Sequence, residues 1–266
     1  MHDLQLYSRL LGASVRAQWR YRLNAVMRAA ASCLLNITDF IAIWALVSRF
    51  GPLKGWSLAE MAVLYGSVNA ALASSQIIAR GYDTFDGIIR HGEFDRVLLR
   101  PRSVALQLLA RDLPLNQLGR LLQAVVVLIW GLGAAPESVS AAGLLLLVLA
   151  IAGAICVFNA VAVIQATACF WTVEGLEVFN VLTYGGGYVA EYPLTCYRPV
   201  VRALVLYVVP ITLVTYPPCL WLLGRSHAEG WSGWTCWCAP LAGVASLLLA
   251  SLAWRLGVRR YASTGS

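Results

Sequence analysis

The chain has 266 residues, of which 59% are hydrophobic and only 12% are charged. A soluble domain carries about 25% charged residues, and several apolar runs here exceed the roughly 18 residues that mark a membrane span. The composition therefore argues against a soluble domain and indicates a polytopic membrane protein. The net charge of +7 does not indicate nucleic-acid binding, because the basic residues flank the apolar runs, where they set the orientation of spans.

The chain contains a single lysine, Lys54, and Gly55 follows it. A Walker A loop needs Gly-Lys-Ser/Thr so that the ammonium reaches the nucleotide phosphates. That loop is absent, so if ATP drives this protein, the ATPase is another chain. No G-x-S-x-G or H-E-x-x-H motif and no Cys-x-x-Cys metal pattern occurs either, which leaves little support for catalysis or a metal site.

In chain order, residues 4–23 predict an amphipathic helix with arginines on one face, typical of a helix lying in the membrane interface. A simple lead-in helix is the alternative. Five spans follow from the apolar runs at about 26–48, 59–79, 118–135, 141–168 and 238–256.

Residues 173–223 allow two interpretations. In the first, 176–191 crosses the membrane and 195–223 forms two half-helices that dip in and return, which the prolines and the glycine run favour. In the second, 173–198 stays inside and 199–223 crosses, which Arg198 and Arg202 favour. Both give six spans.

Orientation follows from charge. Most basic residues lie in 1–28, in 80–120 and in the C-terminal tail, all on one side of the predicted bundle. The positive-inside rule makes that side, with both termini, cytoplasmic.

The longest charged stretch, Arg80 to Pro101, lies between the second and third spans. Its acidic and basic residues alternate, with apolar residues between them, and a helix would place Asp86 and Arg90 on one face, and likewise Arg96 and Arg100. Gly92 interrupts this segment and Pro101 ends it. We expect a short amphipathic element whose exposed Phe85, Ile88, Phe94 and Leu98, rimmed by charges, form a small docking site. A solvated loop that only sets topology is the alternative.

Asp39 is the one acidic residue deep in a predicted span, and Asn36 lies one turn away on the same face. A charge at this depth costs at least about 2.5 kcal/mol on insertion scales, so it must be paired or face a cavity. We expect a residue of the translocation path or an inter-helix hydrogen bond. Four cysteines, Cys196, Cys219, Cys236 and Cys238, fall toward the outer side, where a disulfide could persist.

The segment Ile89 to Pro101, I-R-H-G-E-F-D-R-V-L-L-R-P, resembles the I-R-x-G-x-(F/L)-D-x-x-L-x-R-P signature of a subfamily of ABC permease components. A second similarity is the tripeptide Tyr192-Pro193-Leu194, which is followed by Val208-Val209-Pro210 and Tyr216-Pro217-Pro218. In that subfamily a similar tyrosine-proline pattern follows the fifth span. The whole chain resembles the permease subunit of type-2 ABC exporters.

The resemblance implies an all-α membrane protein with six spans, an interfacial helix, a cytoplasmic coupling helix between spans 2 and 3, and a re-entrant hairpin over 192–223. It also implies a bacterial inner-membrane transporter of two permease and two ATPase subunits, in which the ATPases bind ATP and Mg²⁺. This subfamily often pairs different permeases, so we expect a related partner chain rather than a homodimer. The implied ATPase-coupling residues are Asp83, Phe85, Asp86, Ile89, Arg90, Gly92, Glu93, Phe94, Asp95, Arg96, Leu98, Arg100 and Pro101.

The rival hypothesis is an ATP-independent carrier or channel. A carrier should show inverted repeats and several intramembrane ionisable groups. The sequence shows one such group clearly, Asp39, and no obvious repeat.

Overall fold

The computed structural model describes residues 22–99, 103–109, 114, 116–135, 139–172 and 177–261. Nearly all of the predicted interfacial helix 4–23, and the coupling residues Arg100 and Pro101, lie outside the described residues. Within them the secondary structure is helical, apart from one isolated bridge between Leu53 and Trp56. The protein is an all-α membrane protein, as the sequence predicts.

The helices fall into long spans, short connecting helices and a broken region late in the chain. In chain order they are α1 Arg22–Phe50, α2 Leu58–Asp83, α3 Phe85–Arg90, α4 Glu93–Leu98, α5 Val104–Leu109, α6 Asn116–Ala134, α7 Ala141–Thr172, α8 Glu177–Asn180, α9 Gly186–Ala190, α10 Pro199–Ala203, α11 Ile211–Leu222 and α12 Gly233–Arg260. Among the described residues, α1, α2, α6, α7 and α12 are long and apolar enough to cross a membrane.

Helix α2 forms the centre of the bundle and packs against α6, α7 and α1. Most of its residues are buried, including polar ones such as Ser67, Asn69, Ser75 and Gln76. Polar residues inside a membrane bundle bind other helices, because lipid offers them no hydrogen-bond partner. The buried polar side chains of α2 therefore mark where other helices pack against it and form hydrogen bonds with it.

Close backbone packing joins α7 to α12. A Cβ added to Gly243 would come within 2.1 Å of the carbonyl oxygen of Gly153, so only glycine fits at this crossing. Small residues at such positions let membrane helices approach closely and gain van der Waals contact.

The fifth membrane element is short. Helix α8 continues through a π-helical turn, Val181–Gly185, into α9, and the whole run ends at Ala190. At about 1.5 Å per residue it extends only about 21 Å, less than the roughly 30 Å of hydrocarbon. The helical run alone is therefore too short to cross, and residues 191–196 complete the crossing, because Leu194 packs in the same cluster as Trp56.

A bent pair of helices follows. Helix α10 extends through a second π-helical turn to Val208, and α11 then leaves at an angle of 101°. Helix α11 begins beside Gly186 of α9 and ends beside Gly143, at the start of α7. The two helices therefore enter and leave the bundle on the same side. This confirms the re-entrant hairpin of the first interpretation, and the bend excludes a straight crossing by 199–223.

We call the side of α3, α4 and α5 the coupling side, and the side of loops 51–57 and 223–232 the opposite side. A buried ion pair holds the two opposite-side loops together. The Arg225 guanidinium bonds both carboxylate oxygens of Glu60, which is 2% exposed, and donates to the Gly55 carbonyl at 2.6 Å. The backbone N–H of Ser57 donates to Glu60 at 2.7 Å, and the guanidinium lies 4.9 Å from the Trp56 ring centroid.

All seven cysteines are free thiols in this structure, including the four predicted near the outer side. Cys219 and Cys236 are buried, and Cys219 lies 3.7 Å from the Ser67 hydroxyl.

Candidate functional site

The segment between spans 2 and 3 folds as two six-residue helices, α3 and α4, that meet at a sharp turn. Gly92 makes this turn with a φ of 65°, a conformation that costs glycine little and other residues more. The His91 ring nitrogen Nδ1 lies 2.7 Å from the Gly87 carbonyl and supports the end of α3. We call residues 83–99 the coupling segment.

The apolar side chains of the coupling segment point into the protein. Phe85 and Phe94 are fully buried, and Ile88 and Ile89 are 2% exposed. The expectation that Phe85, Ile88 and Phe94 are exposed for docking is therefore wrong. The reason is that the ends of α7 and α12 extend to this level and cover them.

An aromatic cluster connects the coupling segment to these spans. Phe85 and Phe94 pack edge to face with ring centroids 5.2 Å apart, and both contact Phe170 at the end of α7. Phe85 also lies 5.2 Å from Trp254 of α12, and Phe94 lies 4.8 Å from Tyr261. Edge-to-face aromatic pairs contribute about 0.5–1.5 kcal/mol each beyond the area they bury. We call these five residues the aromatic cluster.

Polar contacts hold the rest of the coupling segment in place. Arg90 pairs with Asp86 at 3.2 Å, as the four-residue spacing predicts, and Arg80 lies 3.5 Å from Asp83. The Tyr261 hydroxyl donates to Asp95 at 3.1 Å, which adds a hydrogen bond to the aromatic contact.

The outward surface of the coupling segment is small. Leu99 is 84% exposed and Leu98 is 40% exposed, which agrees with the prediction for Leu98. Arg90, His91 and Arg96 are exposed around them. This surface combines an apolar tip with a basic rim, so it suits a groove with an apolar floor and acidic edges.

A second group of polar residues lies inside the membrane. The Asn69 side-chain amide, near the middle of α2, donates to Glu191 at 2.9 Å, and its carbonyl oxygen accepts two hydrogen bonds from Arg120, at 2.7 and 3.1 Å. Glu191, directly after α9, is 4% exposed. Asn69 thus bridges a carboxylate and a guanidinium that come from two other parts of the chain.

Asn36 and Asp39, the residues predicted to line the translocation path, lie beside these three residues. The Tyr65 hydroxyl donates to the backbone carbonyl of Asn36 at 2.8 Å, and Gln123 donates to the same hydroxyl at 3.4 Å. Asp39 is half-buried and lies within electrostatic range of Tyr65 and Glu191. We call Asn36, Asp39, Tyr65, Asn69, Arg120, Gln123 and Glu191 the intramembrane polar group.

Sequence reasoning missed the two charged residues at the centre of this group. Asp39 is not the one acidic residue at membrane depth, because the short fifth element brings Glu191 to the level of Asn69. Arg120 resembles an ordinary flanking charge, yet it reaches inward from the first turns of α6. A carboxylate directly after the glycine-rich apolar run 181–190 is the signal that could have located Glu191.

No three His, Cys, Asp or Glu side chains in the described part of the chain lie close enough together to hold a metal ion.

A family model for an ABC-2 family transporter protein matches residues 33–265 of the chain. No curated protein and no solved structure gives a match. The matched range includes the coupling segment, the intramembrane polar group and the re-entrant pair. Because it spans nearly the whole chain, this multi-pass membrane protein belongs to the ABC-2 family of transporter proteins and is an ABC-type permease.

Proposed function

We propose that the chain is the permease subunit of an ATP-driven exporter, and that the coupling segment binds a separate ATPase subunit. The observation that carries this proposal is the outward surface of Leu98, Leu99, Arg90 and Arg96, which projects from the end of the bundle. The lack of a Walker A loop supports a separate ATPase, which would bind ATP and Mg²⁺.

The contacts support a division of roles among the coupling residues. Leu98 and the arginines Arg90 and Arg96 contact the ATPase, and the proposed coupling residues Arg100 and Pro101 follow them in the sequence. The remaining residues fix the shape of the coupling segment through the aromatic cluster, the Gly92 turn and the polar contacts; they are Asp83, Phe85, Asp86, Ile89, Gly92, Glu93, Phe94 and Asp95.

This arrangement suggests how motion would pass into the membrane. When ATP binding closes the ATPases, the coupling segment moves with the groove that holds it. Because Phe85 and Phe94 pack against Phe170 and Trp254, the ends of α7 and α12 follow. A tightly packed cluster transmits displacement because its side chains have little free volume.

The assembly we propose contains two ATPase subunits and a second permease, a related chain or otherwise a second copy. The signature at Ile89 to Pro101 suggests the subfamily in which such pairs occur. The charge distribution supports a bacterial inner-membrane protein with its coupling side and both termini in the cytoplasm. Membrane lipid is the surrounding partner, and nothing in the charge pattern favours nucleic acid.

We propose that the intramembrane polar group lines the translocation path. Asn36 and Asp39 were expected there, and Asn69, Arg120 and Glu191 add to them. Ionisable residues in spans are expensive and mark substrate or ion pathways by default. The group holds two carboxyl groups and one guanidinium, a set of side chains that suits a cationic or zwitterionic substrate better than an anion.

The test is affinity purification of the detergent-solubilised chain, followed by identification of co-purifying proteins that contain a Walker A loop. The variant Arg96→Glu with Leu99→Asp changes exposed residues only, so it should fold and lose the ATPase. The matched control, Arg198→Glu with Trp234→Asp, replaces an exposed arginine and an exposed apolar residue with acidic residues on the opposite side, and it should retain the ATPase. An ATPase retained equally by both variants would contradict the coupling assignment.

The intramembrane polar group is the observation that favours the rival, an ATP-independent carrier, because Glu191 and Arg120 raise the number of intramembrane charges. Transport by reconstituted vesicles separates the two. The exporter loses transport when the ATPase's Walker A lysine is replaced, whereas a carrier continues.

A further inference from the structure

A cavity of about 450 Å³ lies at the coupling side of the bundle, between the ends of α2, α7 and α12 and the short helix α5. Its volume is within the range of about 300–1,000 Å³ that small-molecule sites occupy. Buried Tyr82, Val163 and Trp254 form an apolar inner wall, and exposed Arg255 and Arg259 lie at the mouth. Trp254 also belongs to the aromatic cluster, but the other four residues of that cluster and the whole intramembrane polar group do not line this cavity.

The two arginines are available to a ligand. They are four residues apart on α12, so they project from one face of the helix. Neither forms an ion pair with any residue that the structure describes. Unpaired guanidinium groups bind phosphate with two parallel hydrogen bonds, which makes them the preferred residues for planar recognition of such oxyanions.

The position of the arginines matches the lipid headgroup layer. Helix α12 has 28 residues and at about 1.5 Å per residue extends about 42 Å, longer than the roughly 30 Å hydrocarbon core. Its last turns therefore reach the headgroups. Leu252 and Leu256, on the same face as the arginines, are 54% and 61% exposed.

This face presents exposed apolar side chains beside two unpaired cations and an apolar cavity. A soluble anion would use the cations alone and leave the leucines and the apolar wall uncovered. A lipid with an anionic headgroup uses all three features, and basic pockets between spans on the cytoplasmic side are known positions for such headgroups.

We propose that this cavity binds one anionic glycerophospholipid, with its phosphate on Arg255 and Arg259 and its acyl chains against the cavity wall and the exposed leucines. Because Val104 and Ala105 of α5 line the same cavity, the bound lipid contacts both α12 and the helix that follows the coupling segment. Lipid binding would then stabilise the position of α5 against α12.

The experiment is native mass spectrometry of the full-length purified chain in detergent, titrated with dioleoylphosphatidylglycerol. Phosphatidylcholine with the same chains serves as the neutral comparison. Wild type should retain one phosphatidylglycerol in preference to phosphatidylcholine. Arg255→Gln with Arg259→Gln should weaken that binding by about thirtyfold, from about 1 kcal/mol for each arginine near the headgroups.

The matched control is Arg28→Gln with Arg260→Gln, which removes the same charge from exposed coupling-side positions that do not line the cavity. A second variant, Ala105→Phe, keeps both arginines but fills the cavity, and it should also lose phosphatidylglycerol. Thermal unfolding without added lipid shows whether each variant is folded.

Three results would overturn the proposal. The first is equal phosphatidylglycerol binding by wild type and by both cavity variants. The second is an equal loss in the control, which would indicate non-specific charge attraction. The third is displacement of the lipid by inorganic phosphate or glycerol phosphate at equal concentration, which would identify a small-anion site.

Discussion

Asn69 satisfies two buried charges at once, so replacing it with leucine should destabilise the bundle strongly. The Asn69→Leu change removes the donor to Glu191 and the acceptor of both Arg120 hydrogen bonds. The leucine side chain has a similar size but offers neither group a partner. Lipid and the surrounding apolar side chains cannot replace these bonds.

The magnitude follows from what the two charges lose. A hydrogen bond to a charged group contributes about 1.5–3 kcal/mol. Counting the two Arg120 bonds to one amide oxygen as a single contact, the loss at Glu191 and Arg120 amounts to about 3–6 kcal/mol before relaxation. Since both side chains approach the same amide, Arg120 can move toward Glu191 and recover part of that energy. We expect a decrease of about 3 kcal/mol in the free energy of unfolding.

The assay is equilibrium unfolding of the purified chain in mixed micelles, with Ser75→Ala as the control. The Ser75 hydroxyl donates to the Asn159 side chain at 2.6 Å, so this control removes a neutral bond from the same helix. Neutral bonds between membrane helices average about 0.6 kcal/mol and reach about 1.7. The control should therefore lose much less stability than Asn69→Leu.

A double-mutant cycle with Glu191→Gln tests the same reasoning. If Asn69 acts by satisfying Glu191, the two changes should be non-additive by more than about 0.5 kcal/mol, the limit for independent sites. Equal destabilisation by Asn69→Leu and Ser75→Ala, or strict additivity in the cycle, would refute the role of Asn69 as a bridge between buried charges.

Three further predictions concern other contacts. Gly243→Ala should prevent folding or expression, because its Cβ would lie 2.1 Å from a backbone oxygen. Gly87→Ala, whose Cβ would have no atom within 4 Å, should give the same peak as wild type in fluorescence-detected gel filtration. Glu60→Ala should lower the free energy of unfolding by about 3 kcal/mol, because it leaves Arg225 without its carboxylate; an unchanged thermal midpoint would contradict a structural role for this ion pair. Phe94→Ala should lower the free energy of unfolding by about 3–5 kcal/mol and uncouple ATP hydrolysis from transport, while the ATPase still co-purifies. A ratio of transport to hydrolysis equal to that of wild type would rule out transmission through the aromatic cluster.

The coupling segment shows where prediction from sequence succeeds and where it stops. Its position between two spans, the Asp86–Arg90 pair and the break at Gly92 follow from spacing and from local backbone preference. The direction in which the Phe85 and Phe94 side chains point cannot be predicted from the sequence, because a six-residue helix is too short to show a periodic apolar face. Their burial depends on Phe170 and Trp254, which lie far along the chain.

The spans, the absence of an ATP-binding loop and the grouping of basic residues on one side follow from the sequence alone, because hydrophobicity over a window of about 18 residues is a local property. Only the tertiary structure decided which polar residues meet inside the membrane. Asn69, Arg120 and Glu191 are far apart in sequence, and they come together because helix α9 ends at Ala190, beside Asn69 of α2. Long-range contacts of this kind depend on how the helices pack, and no local pattern of residues records that packing.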